Sequence, residues 1–262
     1  MRDSLSAFDQ VADRYDAEFT ETPLGRALRQ IVWSRLAEQV RPGMHVLEIG
    51  CGTGEDAVWL ARQGVHVVAT DVAPAMLAVT REKALRAGVA GKVETLVLDA
   101  ASPMSQSLWV DAAFSNFGAL NCVSDLRPIA RALAGWLKPG GRLVLVFINR
   151  WCAWEIAWHL IHLQPRVAFR RLQRDGAEAR VGAGRVRTWY PSIGSIRRTF
   201  APEFELTRRM GLGVFLPPSY LEPVVAKRSG LFHRLSRLER ATASRFPWLH
   251  LADHIVAEFQ RV

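Results

Sequence analysis

Short apolar runs alternate with stretches of helical spacing, and this alternation constrains the fold more than any other feature of the chain. Five runs predict strands: Met44–Ile49, Val65–Thr70, Val93–Leu98, Ala112–Asn116 and Leu143–Phe147. Helical spacing lies between them at Glu55–Gln63, Pro74–Ala87 and Leu126–Leu137, and Lys138-Pro139-Gly140-Gly141 predicts a turn before the fifth strand. The pattern predicts an α/β fold, with a mostly parallel sheet covered by helices on both faces.

The flanking segments predict further elements. Two helices are expected upstream, over Leu5–Phe19 and Leu24–Val40. Downstream we expect a helix or helix pair over Trp151–Gln173 interrupted at Pro165, a hairpin over Ala179–Tyr190 turning at Gly182-Ala183-Gly184, a short helix over Ile193–Thr199, a strand over Phe204–Met210, an Arg-rich helix over Lys227–Arg245 and a final strand over His254–Arg261.

The cysteines and the apolar runs bear on the compartment. Cys51, Cys122 and Cys152 are far apart and form no Cys-x-x-Cys pair, so neither a disulfide framework nor a zinc site is expected. The N-terminus lacks the apolar core of a signal peptide, and the longest apolar run, Leu143–Ile148, is far too short to span a membrane. A cytoplasmic location is therefore expected.

Positive charge is concentrated in the second half of the chain. Residues 1–149 carry a net charge of −1 and residues 150–262 a net charge of +10, and all but four of the 34 basic residues are Arg. This excess predicts attraction to an anionic substrate, a lipid surface or nucleic acid, or else reflects only an Arg-rich composition inherited from a GC-biased genome.

The segment Val46-Leu47-Glu48-Ile49-Gly50-Cys51-Gly52-Thr53-Gly54-Glu55 is an apolar strand that runs through glycines into a helix. Glycines let a ligand approach the backbone closely. A dinucleotide fingerprint requires a third glycine where Glu55 stands, and a carboxylate there repels a pyrophosphate. No Gly-Lys-Ser or Gly-Lys-Thr follows, which excludes a P-loop. The loop favours a cofactor without phosphates and with a cationic end.

Residues 48–54 resemble the first motif of class I S-adenosylmethionine-dependent methyltransferases. The resemblance implies a Rossmann-like, seven-stranded sheet with an antiparallel last strand and a helical and hairpin cap after strand 5. It divides the chain into N-terminal helices that close over the cofactor (1–43), a cofactor-binding core (44–150), a substrate cap (151–203) and C-terminal strands with an Arg-rich helix (204–262). The implied cofactor is S-adenosylmethionine, converted to S-adenosylhomocysteine, with no metal.

The resemblance also implies roles for individual residues. Asp71 holds the ribose, Val72 and Met76 line the adenine, and Asp99-Ala100 bind the adenine edge. Alternatively, Asp71 caps the next helix, and Asp99 forms only a turn. Tyr15 and Phe8 close over the cofactor or simply pack on the sheet. The full implied cofactor set is Tyr15, Glu48, Gly50, Cys51, Gly52, Gly54, Asp71, Val72, Met76, Asp99, Ala100, Asn116 and Phe117.

The cap carries the candidate acceptor site. Trp151, Trp154 and Trp158 fall on one predicted helical face that roofs an acceptor, dips into a membrane surface or packs on the sheet. His159 is a candidate base, and Tyr190 is a second candidate at the pocket. His159 and His162 lack a third metal ligand nearby, so a metal site is disfavoured.

The function expected is methyl transfer to a small molecule, acidic or amphiphilic in character. Two alternatives stay open, a membrane-surface methyltransferase acting on a lipid or isoprenoid, and a silent cofactor-binding partner of another enzyme. Asn116 is not followed by the Pro-Pro-Tyr of base-methylating enzymes and no nucleic-acid module is present, so nucleic acid is disfavoured. Peripheral membrane contact is left open by a predicted basic surface of Arg166, Arg170, Arg171, Arg174, Arg228, Arg234, Arg237 and Arg240. The pattern does not reveal the acceptor atom or the oligomeric state.

Overall fold

The computed structural model describes residues 7–103, 108–218, 229–242 and 248–262. Its strands are β1 (His45–Ile49), β2 (His66–Asp71), β3 (Val93–Val97), β4 (Val110–Ser115), β5 (Leu137–Ile148), β6 (Ala177–Val181), β7 (Gly184–Thr188), β8 (Phe204–Leu212) and β9 (His254–Arg261). Seven of them form one sheet in the order β3-β2-β1-β4-β5-β9-β8, and β6 pairs with β7 in a separate hairpin. Strands β1 to β5 are parallel, and β9 runs antiparallel to both β5 and β8. The predicted fold class is confirmed.

The helices are α1 (Ala12–Tyr15), α2 (Pro23–Gln39), α3 (Glu55–Arg62), α4 (Pro74–Arg86), α5 (Arg127–Trp136), α6 (Ala153–Ile161), α7 (Pro165–Ala168), α8 (Ile193–Phe200), α9 (Ser229–Thr242) and α10 (Trp248–Leu251). Proline stands in the first turn of α2, α4, α5 and α7, where its missing N–H costs no helical hydrogen bond. Within the described ranges, none of the helices combines the length and apolarity needed to cross a bilayer.

Alternate side chains of β5 face opposite sides of the sheet and belong to two hydrophobic cores. Leu145 and Phe147 pack with Leu133 of α5 and Phe200 of α8 on one face. On the other face, Val144 and Val146 pack with Leu28 of α2 and Leu60 of α3. Because both faces of β5 are buried, its residues 143–148 form a continuous apolar run and do not alternate with polar residues.

Three local predictions were wrong or incomplete. Residues 138–141 lie within β5 rather than before it, because Leu137 pairs with Val110 and the register then shifts so that Arg142 pairs with Ala112. Trp151 precedes α6 and does not share a helical face with Trp154 and Trp158. The first predicted helix is broken by a π-helical turn over Asp16–Thr20, and its first two residues lie outside the described ranges, as do both ends of the predicted 227–245 helix.

Candidate active site

The glycine loop lies at the carboxyl ends of β1, β2 and β4, and all three of its glycines have positive φ: 72° at Gly50, 53° at Gly52 and 76° at Gly54. A Cβ added to Gly54 would lie 2.5 Å from Thr80 Cγ2, so packing as well as backbone conformation requires glycine there. At Gly52 the nearest atom to an added Cβ is Tyr15 Cε1, 4.0 Å away. The space above Gly52 is therefore open, and Tyr15 stands at its edge.

Asp71, at the end of β2, holds this loop in place. Its Oδ2 accepts a hydrogen bond from the Gly52 N–H, and its Oδ1 accepts one from the Ala73 N–H, each at 2.9 Å. Burial raises the pKa of Asp71 above its ordinary value of 3.8, although both backbone bonds oppose the shift. An ionised carboxylate offers about four lone-pair positions, so Asp71 can accept further hydrogen bonds.

Glu48 is a buried carboxylate beneath the loop. No described residue bonds to its Oε2, which is inaccessible to solvent. Burial raises the pKa of Glu48 well above its ordinary value of 4.5, and the neighbouring carboxylate of Asp56 adds to the shift. A buried charge without a partner is costly, so this position favours a cationic or hydrogen-bond-donating ligand.

Helix α2 contributes a buried cation that the sequence analysis missed. Arg29 Nη1 lies 2.6 Å from Asp56 Oδ2, and Asn116 Nδ2 donates to the same oxygen at 2.9 Å. The Arg29 guanidinium lies 4.9 Å from the centre of the Phe117 ring, and its Nε has no described partner. The signal was present in the sequence, since Arg29 interrupts the apolar stripe that Leu28 and its neighbours form on α2.

The N-terminal segment is tied down over the loop by two carboxylates. Asp16 Oδ1 accepts a hydrogen bond from Thr53 Oγ1 at 2.6 Å, and its Oδ2 lies 2.6 Å from Lys83 Nζ, which also pairs with Glu55 at 3.0 Å. Asp9 Oδ1 accepts the Ala75 N–H at the start of α4. These contacts hold α1 and its Tyr15 above the open side of the loop.

Met76 and Val72, which are predicted to line the adenine, differ in burial. Met76 is buried in a small cluster with Val11 and Ala12, against which Phe8 and Tyr15 also pack. The neighbouring Val72 is half-buried. The N-terminal segment therefore packs against the start of α4 in this cluster.

The end of β3 and the loop cysteine have local partners. Asp99 Oδ1 accepts the Ala101 N–H at 2.9 Å, as in the turn interpretation, and Ala100 is half-buried against the core. Cys51 is buried with its Sγ 3.7 Å from Thr80 Oγ1. Burial raises the pKa of the Cys51 thiol well above its ordinary value, so it stays protonated and is no nucleophile.

Phe117, directly after β4, meets a histidine from the far end of the chain. Its backbone has a φ of 43°, and its ring lies 5.1 Å from that of Phe19 and 5.7 Å, edge-on, from that of His254. His254 Nδ1 lies 3.2 Å from Asp253 Oδ2. Although burial opposes it, Arg171 together with His254 holds the pKa of Asp253 well below its ordinary range. The ionised Asp253 carboxylate thus lies beside His254 at this edge of the sheet.

A buried ion network joins the cap to that edge. Arg171 Nη2 lies 2.6 Å from Glu155 Oε2 and 2.8 Å from Asp253 Oδ1, and Arg170 Nε pairs with Glu155 Oε1 at 2.8 Å. Arg171 is therefore buried and absent from the predicted basic surface. Of that surface, Arg228 and the side chain of Arg240 lie outside the described part of the structure.

The two predicted catalytic residues occupy different places. Tyr190 is buried with the Arg171 guanidinium 5.6 Å from its ring centre, next to the ion network. His159 lies within the cap, where its Nδ1 is 2.9 Å from Gln164 Oε1. In the described ranges, no group of three or more His, Cys, Asp or Glu side chains is arranged to hold a metal ion.

Comparisons with known proteins identify relatives of this chain. Residues 46–141 match a family described as a methyltransferase domain. The chain is 34% identical over 193 residues to the demethylmenaquinone methyltransferase of Mycobacterium marinum, covering 72% of this chain and 79% of that protein. It is 34% identical over 148 residues to the ubiquinone biosynthesis O-methyltransferase of Xanthomonas axonopodis pv. citri, covering 56% and 61%. The solved CcbJ methyltransferase from Streptomyces caelestis shares the fold, with a TM-score of 0.63 and 17% identity over 98% of each chain.

Proposed function

This chain belongs to the class I S-adenosylmethionine-dependent methyltransferases and transfers a methyl group to a small molecule, and on that premise we propose that its acceptor is of the quinone type. The two curated relatives described above are named for demethylmenaquinone and for ubiquinone biosynthesis. The aromatic rings of Phe19 and Phe117 at the carboxyl edge of the sheet suit a flat, apolar acceptor ring. Because the relatives are methyltransferases by name, a silent cofactor-binding partner is not favoured.

The residues around the loop fit S-adenosylmethionine. The cationic end of the cofactor suits the Glu48 carboxylate, whose Oε2 has no described partner, and its ribose hydroxyls suit the spare lone pairs of Asp71. The open space at Gly52 leaves room for the cofactor beside the loop. Arg29, whose Nε is unpartnered, is placed to meet the cofactor's carboxylate. We assign the adenine to Val72, Met76, Asp99 and Ala100 and the methionine side to Tyr15, Asn116 and Phe117, with Gly50, Cys51 and Gly54 shaping the loop. The bound cofactor supplies the electrophilic methyl group, and the protein aligns the acceptor and excludes water.

Proton removal from an acceptor hydroxyl is assigned to His254. Its ring lies 5.7 Å from that of Phe117, beside the proposed methionine site, and its Nδ1 lies 3.2 Å from Asp253 Oδ2. A carboxylate at that distance stabilises the protonated imidazole that a general base becomes. Tyr190, on the same ion network, is proposed to line the acceptor pocket, whereas the Nδ1 of His159 lies against Gln164 Oε1 within the cap.

The observation that carries the proposal is the bond from the Gly52 N–H to the Asp71 carboxylate beside the open space at Gly52, and calorimetry tests it. We expect S-adenosylmethionine and S-adenosylhomocysteine to bind, and binding to weaken at least about tenfold in Asp71→Ala, which loses charge-assisted hydrogen bonds. Asp125→Ala, at an exposed carboxylate paired with Arg127, is the matched control and should bind normally. Equal binding by Asp71→Ala would refute the assignment of the site.

Turnover on a demethylated, short-chain quinol then tests the acceptor class and the base. We expect His254→Asn to lower kcat by about a hundredfold or more with little change in cofactor affinity, and His159→Asn to stay near the wild-type value. Cofactor binding without methylation of any quinol would refute the acceptor class and leave the family assignment intact.

A further inference from the structure

The corner between α6 and α7, residues 160–169, exposes four large apolar side chains. The exposed fractions are 42% for Leu160, 78% for Ile161, 88% for Leu163 and 41% for Phe169. Of the described residues, Leu163 and Ile161 are among the most exposed large apolar side chains in the chain. Scattered single exposures are ordinary, but several on one helix-turn-helix corner mark an interaction surface. We call residues 160–169 the cap corner.

The backbone of the cap corner places one of these side chains at a strained position. Leu163 has a φ of 57°, in the left-handed region, just after α6 ends. Helices end in this conformation most often at glycine, because a Cβ is unfavourable there. The chain instead carries a leucine whose side chain points into solvent, although glycine would relieve the strain and remove the exposed apolar surface.

The charge around the cap corner is positive and largely unbalanced. Residues 156–174 contain four Arg and no Asp or Glu, and the next carboxylate along the chain is the exposed Asp175 beside Arg174. Arg170 and Arg171 are paired with Glu155, whereas Arg166 and Arg174 are exposed. An apolar tip flanked by exposed arginines is complementary to a membrane whose headgroups carry negative charge and whose interior is apolar.

We propose that the cap corner docks on the surface of an anionic phospholipid membrane, with Ile161 and Leu163 entering the headgroup boundary and Arg166 and Arg174 contacting lipid phosphates. The docking rests on exposure and charge alone. Its benefit for catalysis, delivery of a membrane-dissolved acceptor to the sheet edge, rests on the proposed function. The link between them is the ion network, since Glu155 of α6 reaches the Asp253 carboxylate through Arg171.

Vesicle flotation of the full chain, without cofactor or acceptor, tests the docking apart from the chemistry. The probes are phosphatidylcholine vesicles with and without about 30 mol% phosphatidylglycerol. We expect binding to the anionic vesicles that weakens as salt is raised. Ile161→Gln combined with Leu163→Gly should weaken partitioning about tenfold or more, since two inserted apolar side chains are lost. Leu163→Gly relieves the strained φ, so this variant is expected to fold.

Matched variants separate the cap corner from general surface effects. Leu85→Gln removes a side chain that is 67% exposed on α4 and should leave vesicle binding unchanged. Arg166→Gln with Arg174→Gln should also weaken binding about tenfold and flatten its salt dependence. Absence of wild-type binding to anionic vesicles, or equal binding by all the variants, would overturn the proposal. So would a concentration-dependent dimer, seen by sedimentation without lipid, that the Ile161 and Leu163 changes abolish while vesicle binding persists.

Discussion

Glu48→Gln is expected to stabilise the ligand-free protein at alkaline pH and to weaken its hold on the cofactor. The Glu48 carboxylate is buried, no described residue bonds to its Oε2, and burial raises its pKa well above the ordinary value of 4.5. The substitution keeps the size of the side chain and removes its charge. The two effects have opposite signs because the charge is unfavourable without a partner and favourable opposite a cation.

The direction of the stability change follows from proton linkage. Because the folded pKa of Glu48 is raised, the folded state binds more protons than the unfolded chain between pH 4.5 and the folded pKa. The stability that protonated Glu48 contributes is present below pH 4.5 and is lost as pH rises through the folded pKa. The difference between variant and wild type should therefore grow with pH, by up to about 1.4 kcal/mol per pH unit, and each such step shifts the melting temperature by about 3 °C in a chain of this size.

The cofactor should show the reverse dependence. If a cation of the cofactor pairs with ionised Glu48, binding releases a proton wherever the free site is protonated, and affinity rises with pH until the folded pKa is passed. Losing a charge-assisted hydrogen bond costs about 1.5–3 kcal/mol, so Glu48→Gln should weaken binding by about ten- to a hundredfold and remove this part of the pH dependence.

Two measurements check the reasoning. Thermal unfolding of both proteins from pH 5 upward reports the stability difference, and calorimetry in buffers of different ionisation enthalpy counts the protons released on binding. A stability difference that does not change with pH would refute the buried-charge argument. Tight binding by Glu48→Gln with unchanged proton release would refute the pairing with the cofactor.

Four further substitutions test other parts of the structure. Gly54→Ala places a Cβ 2.5 Å from Thr80 at a φ of 76° and should lower the free energy of unfolding by about 2–4 kcal/mol. Gly52→Ala places its Cβ in open space and should lower the free energy of unfolding by only about 1 kcal/mol, while it weakens cofactor binding. Thermal unfolding measures both losses. Arg171→Met removes the buried cation that Glu155 and Asp253 share and should cost about 3–5 kcal/mol in denaturant titration at neutral pH. Because the pKa of Asp253 is depressed, this cost should shrink as pH falls below 3.8. Lys83→Met releases the N-terminal segment from the loop and should speed cofactor dissociation about threefold in stopped-flow measurements.

The glycine loop and the strand ends could be predicted because their requirements are local. Positive φ at three alternate positions demands glycine, and an acidic residue closing β2 lies within 19 residues of Gly52, to which it bonds. Whether Asp71 caps a helix or serves a ligand could not be decided from the pattern, because the same carboxylate already bonds Ala73 at the start of α4. The local pattern predicts where the Asp71 side chain lies, but it does not predict which groups bond to its remaining lone pairs.

The ion pairs could not be predicted because their partners are far apart in the chain. Arg29 meets Asp56 only when α2 packs beside α3, and Arg171 meets Asp253, 82 residues away, only once the cap folds onto the sheet. Arg170 and Arg171 are adjacent, yet one is partly exposed and the other buried. An amphipathic pattern does not distinguish the two arginines, so the prediction that Arg171 belongs to a basic surface is wrong.

His254 was passed over for a topological reason. In a parallel sheet, ligands bind at the edge where the strands end, so site residues are expected at the carboxyl end of each strand. Strand β9 runs antiparallel between β5 and β8, and its first residue therefore pairs with Ile148 at the end of β5. An antiparallel strand inserted in a parallel sheet brings its amino end to the functional edge, and this reversal sets His254 beside Phe117, 137 residues earlier in the chain.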